Sequence, residues 1–252
     1  HECDFSVGLA NRINCKSARK MLLSYEDTRQ YLSQAQKEKS VITGNPVRPV
    51  FYNTDSSIGE SFLGINKAQN TKPVLMVLGG SSGARQINSL VKESIDFLCS
   101  HFTVVHQTGL LNTDEGEVLA LKEKYGDSYK PYQFIYDQMP HVLSCADVIL
   151  SRAGANSIWE CAVLKKPMLL VPLCGNGTRG DQVDNAEFFE KAGCAKVLLG
   201  DNATKENLEA SLSSMIEGNN LSIMAQNLEK LTEGDKPATK IARLILEECK
   251  SK

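Results

Sequence analysis

From about residue 73 onward, short apolar runs alternate with amphipathic stretches, and this alternation limits the possible folds more than any other feature of the chain. The strand candidates are residues 73–78, 102–106, 132–135, 147–150, 167–171 and 195–199. Helical stretches lie between them at 84–98, 115–124, 139–145, 156–164 and 182–192. Short β runs separated by helices predict βαβ units and a parallel sheet, hence an α/β fold. After Leu199 the chain reads as helical to its end, with Thr204 and Asn219 as N-caps.

The first 52 residues follow a different pattern. They predict a helix near 8–17, a strand near 19–24, a polar helix from Glu26 and then the run Val41-Ile42-Thr43-Gly44-Asn45-Pro46. An independent α/β domain takes on the order of 100 residues, so residues 1–52 are expected to be the tail of another domain. The polar stretch 53–72 is expected to be a linker. The chain starts at His1 rather than Met, which points to a truncated or processed start.

Bulk properties exclude several classes. A net charge of −2 argues against a dedicated nucleic-acid binder. No apolar run approaches the ~20 residues that span a bilayer, and the N-terminus has no signal-peptide pattern. None of the eight cysteines forms a Cys-x-x-Cys pair, which argues against a zinc site. They are expected to be reduced, small, mostly buried hydrophobes of a cytosolic protein. Asn176-Gly177-Thr178 has the form of a glycosylation acceptor, which carries no meaning in that compartment.

Four loops could carry chemistry. Leu78-Gly79-Gly80-Ser81-Ser82-Gly83-Ala84-Arg85 joins a strand to a helix. Its glycines permit a sharp turn and close approach, and the helix start offers free N–H groups to a phosphate. It is neither a Walker A loop nor a G-x-G-x-x-G fingerprint, and a plain βα turn would have the same composition. Ser151-Arg152-Ala153-Gly154-Ala155-Asn156-Ser157-Ile158-Trp159-Glu160 makes a second such junction. Glu160 can accept two hydrogen bonds from a ribose diol, or it can complete a capping box with Ser157. A third loop runs from Gly177 to Ala186, with Asp181 as N-cap and Gln182 placed to reach a sugar hydroxyl; a solvated helix start would look alike. The fourth, Gly44-Asn45-Pro46-Val47-Arg48, is a rigid turn that presents a cation or simply a surface arginine. Three of the four follow strand ends of one sheet, the edge where open α/β sheets bind ligands.

Taken in order, Asn11, Gly44 to Arg48, Gly79 to Ala84, His106-Gln107-Thr108-Gly109, Phe134 to Met139, Ala146-Asp147, Arg152 to Ala155, Glu160, Val171-Pro172 and Asp181-Gln182 resemble the MurG family of bacterial peptidoglycan GlcNAc transferases. The resemblance covers essentially the whole chain. It implies a GT-B fold, two Rossmann-like domains facing a cleft. Residues 73–235 would be the complete UDP-GlcNAc-binding domain, and helix 236–252 would cross back toward the first domain. It implies inverting transfer of GlcNAc from UDP-GlcNAc to a lipid-linked muramyl-pentapeptide on the cytoplasmic membrane face, with no cofactor and no metal; no Asp-x-Asp motif is present. Arg48 and Ser81 would face the diphosphate, and the Ile135 backbone would read the uracil. Ala155, Asn156, Ser157, Ile158, Trp159 and Glu160 would wrap the nucleotide, Gln182 would hold the GlcNAc, and Asp4 would contact sugar near the cleft. The glycine-rich loops of the family's first domain, and the general base expected among them, have no counterpart here. Asn156 and Trp159 stand where the family has smaller or more apolar residues. The chain alone is therefore expected to bind donor with little or no transfer. A binding-only subunit of a split transferase and a nucleotide-sugar epimerase are the competing readings; free UDP or ManNAc released from UDP-GlcNAc separates the epimerase from the others.

Overall fold

The computed structural model describes residues 1–80, 82–111, 114–175 and 178–250. In chain order, α1 (Leu9–Asn14), β1 (Met21–Leu23), α2 (Gln34–Lys39) and β2 (Ser40–Ile42) form the N-terminal segment, followed by α3 (Ser56–Leu63). Then come β3 (Val74–Leu78), α4 (Arg85–Glu93), α5 (Ile95–His101), β4 (Thr103–Gln107), α6 (Glu115–Tyr125), β5 (Tyr129–Tyr132), α7 (Met139–Cys145) and β6 (Val148–Ser151). The remainder is α8 (Ala155–Val163), β7 (Met168–Leu170), α9 (Asp181–Lys191), β8 (Ala195–Val197), α10 (Lys205–Ile216), α11 (Asn220–Leu231) and α12 (Pro237–Lys250).

The six strands β3 to β8 form one parallel sheet in the order β5-β4-β3-β6-β7-β8. Each strand is followed by a helix, so the sheet is covered on both faces and its central strand has no polar side. All five residues of β3 are buried. Their side chains alternate between two cores, as the period of two requires. Val74, Met76 and Leu78 join Ile149, Met168 and Leu170 under α7, α8 and α9. Leu75 and Val77 join Val148, Leu150 and Leu169 under α4, α5 and α10. Strand order reverses between β3 and β6, so the loops leaving them diverge and open a crevice.

β4 is fully buried although it carries Thr103, His106 and Gln107. His106 Nε2 donates to Asn88 Oδ1 at 3.1 Å, and its Nδ1 accepts from the Tyr129 hydroxyl at 2.9 Å. Burial pushes the imidazole down to about 3, and it stays neutral.

Several expectations shift in detail. The edge strand expected at 132–135 lies at Tyr129–Tyr132, because Gln107 pairs with Tyr132 and the chain turns away from the sheet beyond it. Only the first residue of that strand is buried, so the more apolar Phe134-Ile135 stood out in the sequence. The single helix expected over 84–98 breaks at Ser94, whose backbone (φ −100°, ψ 7°) leaves the helical basin. The polar helix from Glu26 is a 3₁₀ turn (Glu26–Tyr31) followed by α2. The stretch expected as a linker holds α3, started by Asp55, whose side chain accepts from Ser57 N, and ended by left-handed Gly64 (φ 60°).

The N-terminal segment has its own small core of Val7, Cys15, Met21, Leu23 and Leu32. β1 and β2 pair in parallel. Tyr25, Val47 and Phe51 leave this segment to join the core beneath α7, α8 and α9. α12 reaches it from the other end of the chain, where Glu248 meets Arg19 at 3.4 Å.

Two consequences are measurable. Gly59 of α3 lies so close to α7 that a Cβ would overlap the His141 carbonyl oxygen. Gly59→Ala should lower stability by about 1–3 kcal/mol, read as a lower urea midpoint. His106 sets a pH dependence: an ordinary histidine titrates near 6.5, so below that pH the unfolded chain takes a proton that the folded chain refuses. Stability is then full above pH ~6.5 and falls by about 1.4 kcal/mol per unit below it. Urea titrations at pH 7 and pH 5 should show a loss of about 2 kcal/mol that is absent in His106→Gln.

Candidate functional site

The crevice at the switch point is a cavity of about 790 Å³, within the size range of small-ligand sites. All four loops singled out in the sequence reach it: Gly79 and Gly80 after β3, Ser151, Arg152 and Gly154 after β6, Gln182 at the start of α9, and Arg48 from the N-terminal segment. Gln107 and Ile135 line it from the β4 side.

The glycines of the first loop have a packing reason. A Cβ on Gly79 would sit 2.7 Å from the Ala84 nitrogen, and one on Gly109 (φ 89°) would overlap the Gly83 backbone. The loops after β3 and β4 therefore touch main chain to main chain, leaving no side chain between them. Ser81, a candidate from the sequence, lies outside the described residues, as do Asn176 and Gly177.

The second loop separates the readings of Glu160. Gly154 caps α8, so Ser157 is the third helical residue and the capping box with Ser157 as cap does not form. Glu160 instead receives Arg48 Nε on Oε1 at 3.0 Å. Its side chain is 17% exposed, against 63% for Arg48. Burial raises the Glu160 pKa, and the Arg48 charge and hydrogen bond offset part of that rise. The guanidinium also lies 4.9 Å from the centre of the Phe51 ring. Ala155 holds the fourth loop, its carbonyl accepting from buried Asn45 Nδ2 at 3.4 Å.

Residues 155–160 do not all face the cavity. Ser157 and Glu160 line it, while Asn156 is exposed elsewhere. Ile158 and Trp159 are 1% and 7% exposed and point into the core. The side chains expected to wrap a nucleotide here are split by the helical period of 3.6. Trp159 Nε1 donates to the Tyr25 hydroxyl at 2.9 Å. Its ring packs against Tyr25 and Phe189, and burial raises the Tyr25 pKa.

At α9 the N-cap is Gly180 (φ 79°), not Asp181, which is the first helical residue. Gln182 Oε1 accepts from Leu173 N at 2.9 Å. Asp4 does not line the cavity. Its carboxylate accepts from Arg179 Nη2 at 2.6 Å and from Asn185 Nδ2 at 3.0 Å. Fully buried Asn185 also donates to the Ala153 carbonyl and accepts from Phe5 N. It therefore joins the loop after β6, α9 and the N-terminal segment.

Among the cavity residues quoted in the sequence motifs but not chosen as candidates, Arg152 and Gln107 stand out. Arg152 is a half-buried cation whose pKa is lowered by desolvation. Gln107 accepts from Ile135 N on Oε1 at 3.0 Å. The N–H of Ile135, whose backbone is expected to read the uracil, is thus bonded within the protein.

An open parallel sheet with this strand order, joined to a second α/β segment across a crevice, is the arrangement of a GT-B glycosyltransferase. Residues 74–242 match the model of the glycosyltransferase family 28 C-terminal domain, and the chain belongs to that family. It is 46% identical over 256 residues to the UDP-N-acetylglucosamine–N-acetylmuramyl-(pentapeptide) pyrophosphoryl-undecaprenol N-acetylglucosamine transferase of Treponema denticola, covering 97% of this chain and 64% of that protein. It is 36% identical over 242 residues to the Geobacillus kaustophilus protein of the same name, covering 96% and 64%. The crystal structure of Acinetobacter baumannii MurG superposes with a TM-score of 0.70 at 23% identity, over 98% of this chain and 66% of that one. Os79 from O. sativa in complex with UDP has a TM-score of 0.69 at 16% identity, over 93% and 56%. The chain thus spans about 64% of the length of the curated relatives it matches.

The Trp159–Tyr25 bond gives a direct test of the seam beside the cavity. Tyr25→Phe keeps the ring and leaves a buried indole N–H without its acceptor. The cost should be about 1–3 kcal/mol, seen as a lower urea midpoint; an unchanged midpoint would show that the bond contributes nothing.

Proposed function

We propose that this chain is the donor-binding part of an inverting transferase that moves GlcNAc from UDP-GlcNAc to a lipid-linked N-acetylmuramyl-pentapeptide. The observation that carries the reading is the convergence of four separate loops on one cavity at the switch point. The names of the Treponema and Geobacillus relatives supply the substrates.

The roles follow from chemistry. Arg48 and Arg152 are the cations at the cavity wall, suited to a diphosphate. The start of α8 adds N–H groups and a partial positive charge. The Glu160 carboxylate takes the ribose diol, and Gln182 takes sugar hydroxyls. Glu160 is held by Arg48 without donor, so binding exchanges one ion pair for two sets of contacts: guanidinium to phosphate, carboxylate to ribose. In the transfer step a base removes the proton of the acceptor hydroxyl, whose oxygen attacks the anomeric carbon as UDP leaves. The departing charge falls on the arginines and the helix N-terminus.

Residues 1–52 are the tail of the acceptor domain in this reading, and 73–235 form the donor domain, with α3 packed onto it. Helix α12 returns to the acceptor side, which the Arg19–Glu248 pair supports. Among the described residues no helix is long and apolar enough to cross a membrane. In this reading the whole enzyme works as a peripheral protein at the cytoplasmic membrane face, where it meets its lipid-linked acceptor. The binding-only alternative gains no support from relatives named as transferases over nearly all of this chain.

Calorimetric titration with UDP-GlcNAc tests the reading. The wild type should bind, and Glu160→Ala should weaken binding about 10- to 100-fold by removing charge-assisted hydrogen bonds. Because burial raises the Glu160 pKa, binding should decline as pH falls, beginning above the range of an ordinary carboxyl group, and this decline should vanish in the mutant. No binding by folded wild-type protein would sink the proposal.

A further inference from the structure

Asn45 is 1% exposed, and its side-chain amide is only half satisfied. Nδ2 donates to the Ala155 carbonyl at 3.4 Å, beyond the usual ~2.7–3.2 Å of such a bond. Oδ1 is sealed from solvent and has no hydrogen-bond partner among the described residues. Turning the amide over would not relieve this, because it would set Oδ1 against the Ala155 carbonyl oxygen. One long bond against one desolvated, unpaired acceptor is a net cost to the fold. An apolar side chain of similar size would serve stability better. Side chains that break a local rule in this way belong to functional sites more than to scaffolding.

The neighbours of Asn45 show what the amide fixes. Pro46 and Pro49 each hold the preceding residue in extended backbone, and Arg48 adopts φ −57°, ψ 138°. Residues 45–49 are therefore a stiff strip, with Val47 and Phe51 buried in the core beside it. The strip touches α8 twice. Asn45 meets Ala155, the first residue of the helix, and Arg48 meets Glu160, five residues further on. Three extended residues cover about 10 Å and five helical residues about 7.5 Å, so the two contacts keep step along the helix. Arg48 lines the donor cavity, and Asn45 does not.

We infer that Asn45 is the positioning residue for Arg48. Its bond to the start of α8 fixes where the guanidinium stands along that helix, within reach of Glu160 when the cavity is empty and of the donor diphosphate when it is filled. This inference rests on the donor-binding reading above. Without the bond the strip is free to slide along α8, and the guanidinium spreads over positions of which few face the phosphates. Asn45 itself touches no part of the donor and acts through Arg48 alone.

The test is a double-mutant cycle between Asn45→Leu and Arg48→Ala. Each form of the full chain is titrated calorimetrically with UDP and with uridine, a probe that lacks the phosphates. Thermal melts show that the variants are folded, and Asn45→Ala is carried in parallel in case the leucine side chain does not fit. Asn45→Leu should melt at or above the wild-type temperature, bind UDP about tenfold more weakly and bind uridine as before. Arg48→Ala should weaken UDP binding about 10- to 100-fold, and adding Asn45→Leu to it should change nothing further. A folded Asn45 variant that binds UDP like the wild type, that loses uridine in proportion to UDP, or that adds its full effect to that of Arg48→Ala overturns the inference and leaves the donor-binding reading intact. If both Asn45 variants unfold or melt well below the wild type, the amide serves stability and the inference fails as well. An Arg48→Ala variant with wild-type UDP affinity overturns it together with the role given to Arg48. Wild-type protein that binds neither UDP nor uridine overturns both this inference and the donor-binding reading.

Discussion

The reversal of strand order between β3 and β6 is the constraint on which the rest of the structure depends. In a sheet wound in one direction, adjacent βα loops lie side by side and close over the edge. At a reversal they part, one leading to each face, and leave a crevice that no local side chain fills. Gly79 and Gly80 lie on one side of that gap and Ser151, Arg152 and Gly154 on the other. The contact between Gly83 and Gly109 holds the loop after β3 against the loop after β4, with no room for a side chain between them.

The same loops also fasten the N-terminal segment to the sheet. Asn185 reaches Ala153 behind the second loop and Asp4 and Phe5 ahead of it. Asn45 is tied to the first residue of α8, Trp159 on that helix to Tyr25, and Glu160 on its other face to Arg48. One nine-residue helix therefore carries a core face, a seam and a cavity wall. This arrangement ties the cavity wall at Glu160 to the position of the segment that supplies Arg48.

Much of this was legible in the residue order. The alternation of apolar runs and helices gave the parallel sheet, since a strand buried on both faces reads as a continuous apolar run, as Val74–Leu78 does. The four loops were recognisable by their small and turn-forming residues at strand ends. Thr204 capped its helix as expected, its side chain accepting from Asn207 N. What was misread had weak or competing local signals. β5 is an edge strand with Lys130 and Pro131, so the apolar pair just beyond it drew the assignment. Asp55 and Gly64 were adequate start and stop signals for α3, but the polar composition between them resembled a linker. Trp159 looked like part of a nucleotide pocket because proximity in sequence says nothing about which face of a helix a residue occupies until the first helical residue is known.

The sequence by itself determined the alternation of strands and helices from residue 73 onward, its parallel pairing and which loops stand at the strand ends that face the crevice, because these depend on local periodicity and on turn chemistry within a few residues. Only the tertiary structure decided the partners: Glu160 with Arg48, 112 positions apart, Asn185 with Asp4, 181 positions apart, and Gln107 with Ile135. Burial makes these pairings obligatory, since a desolvated carboxylate, amide or indole must find its complement wherever the fold brings one within reach. Which complement lies within reach depends on strand order and helix rotation, and neither is written in any single stretch of the chain.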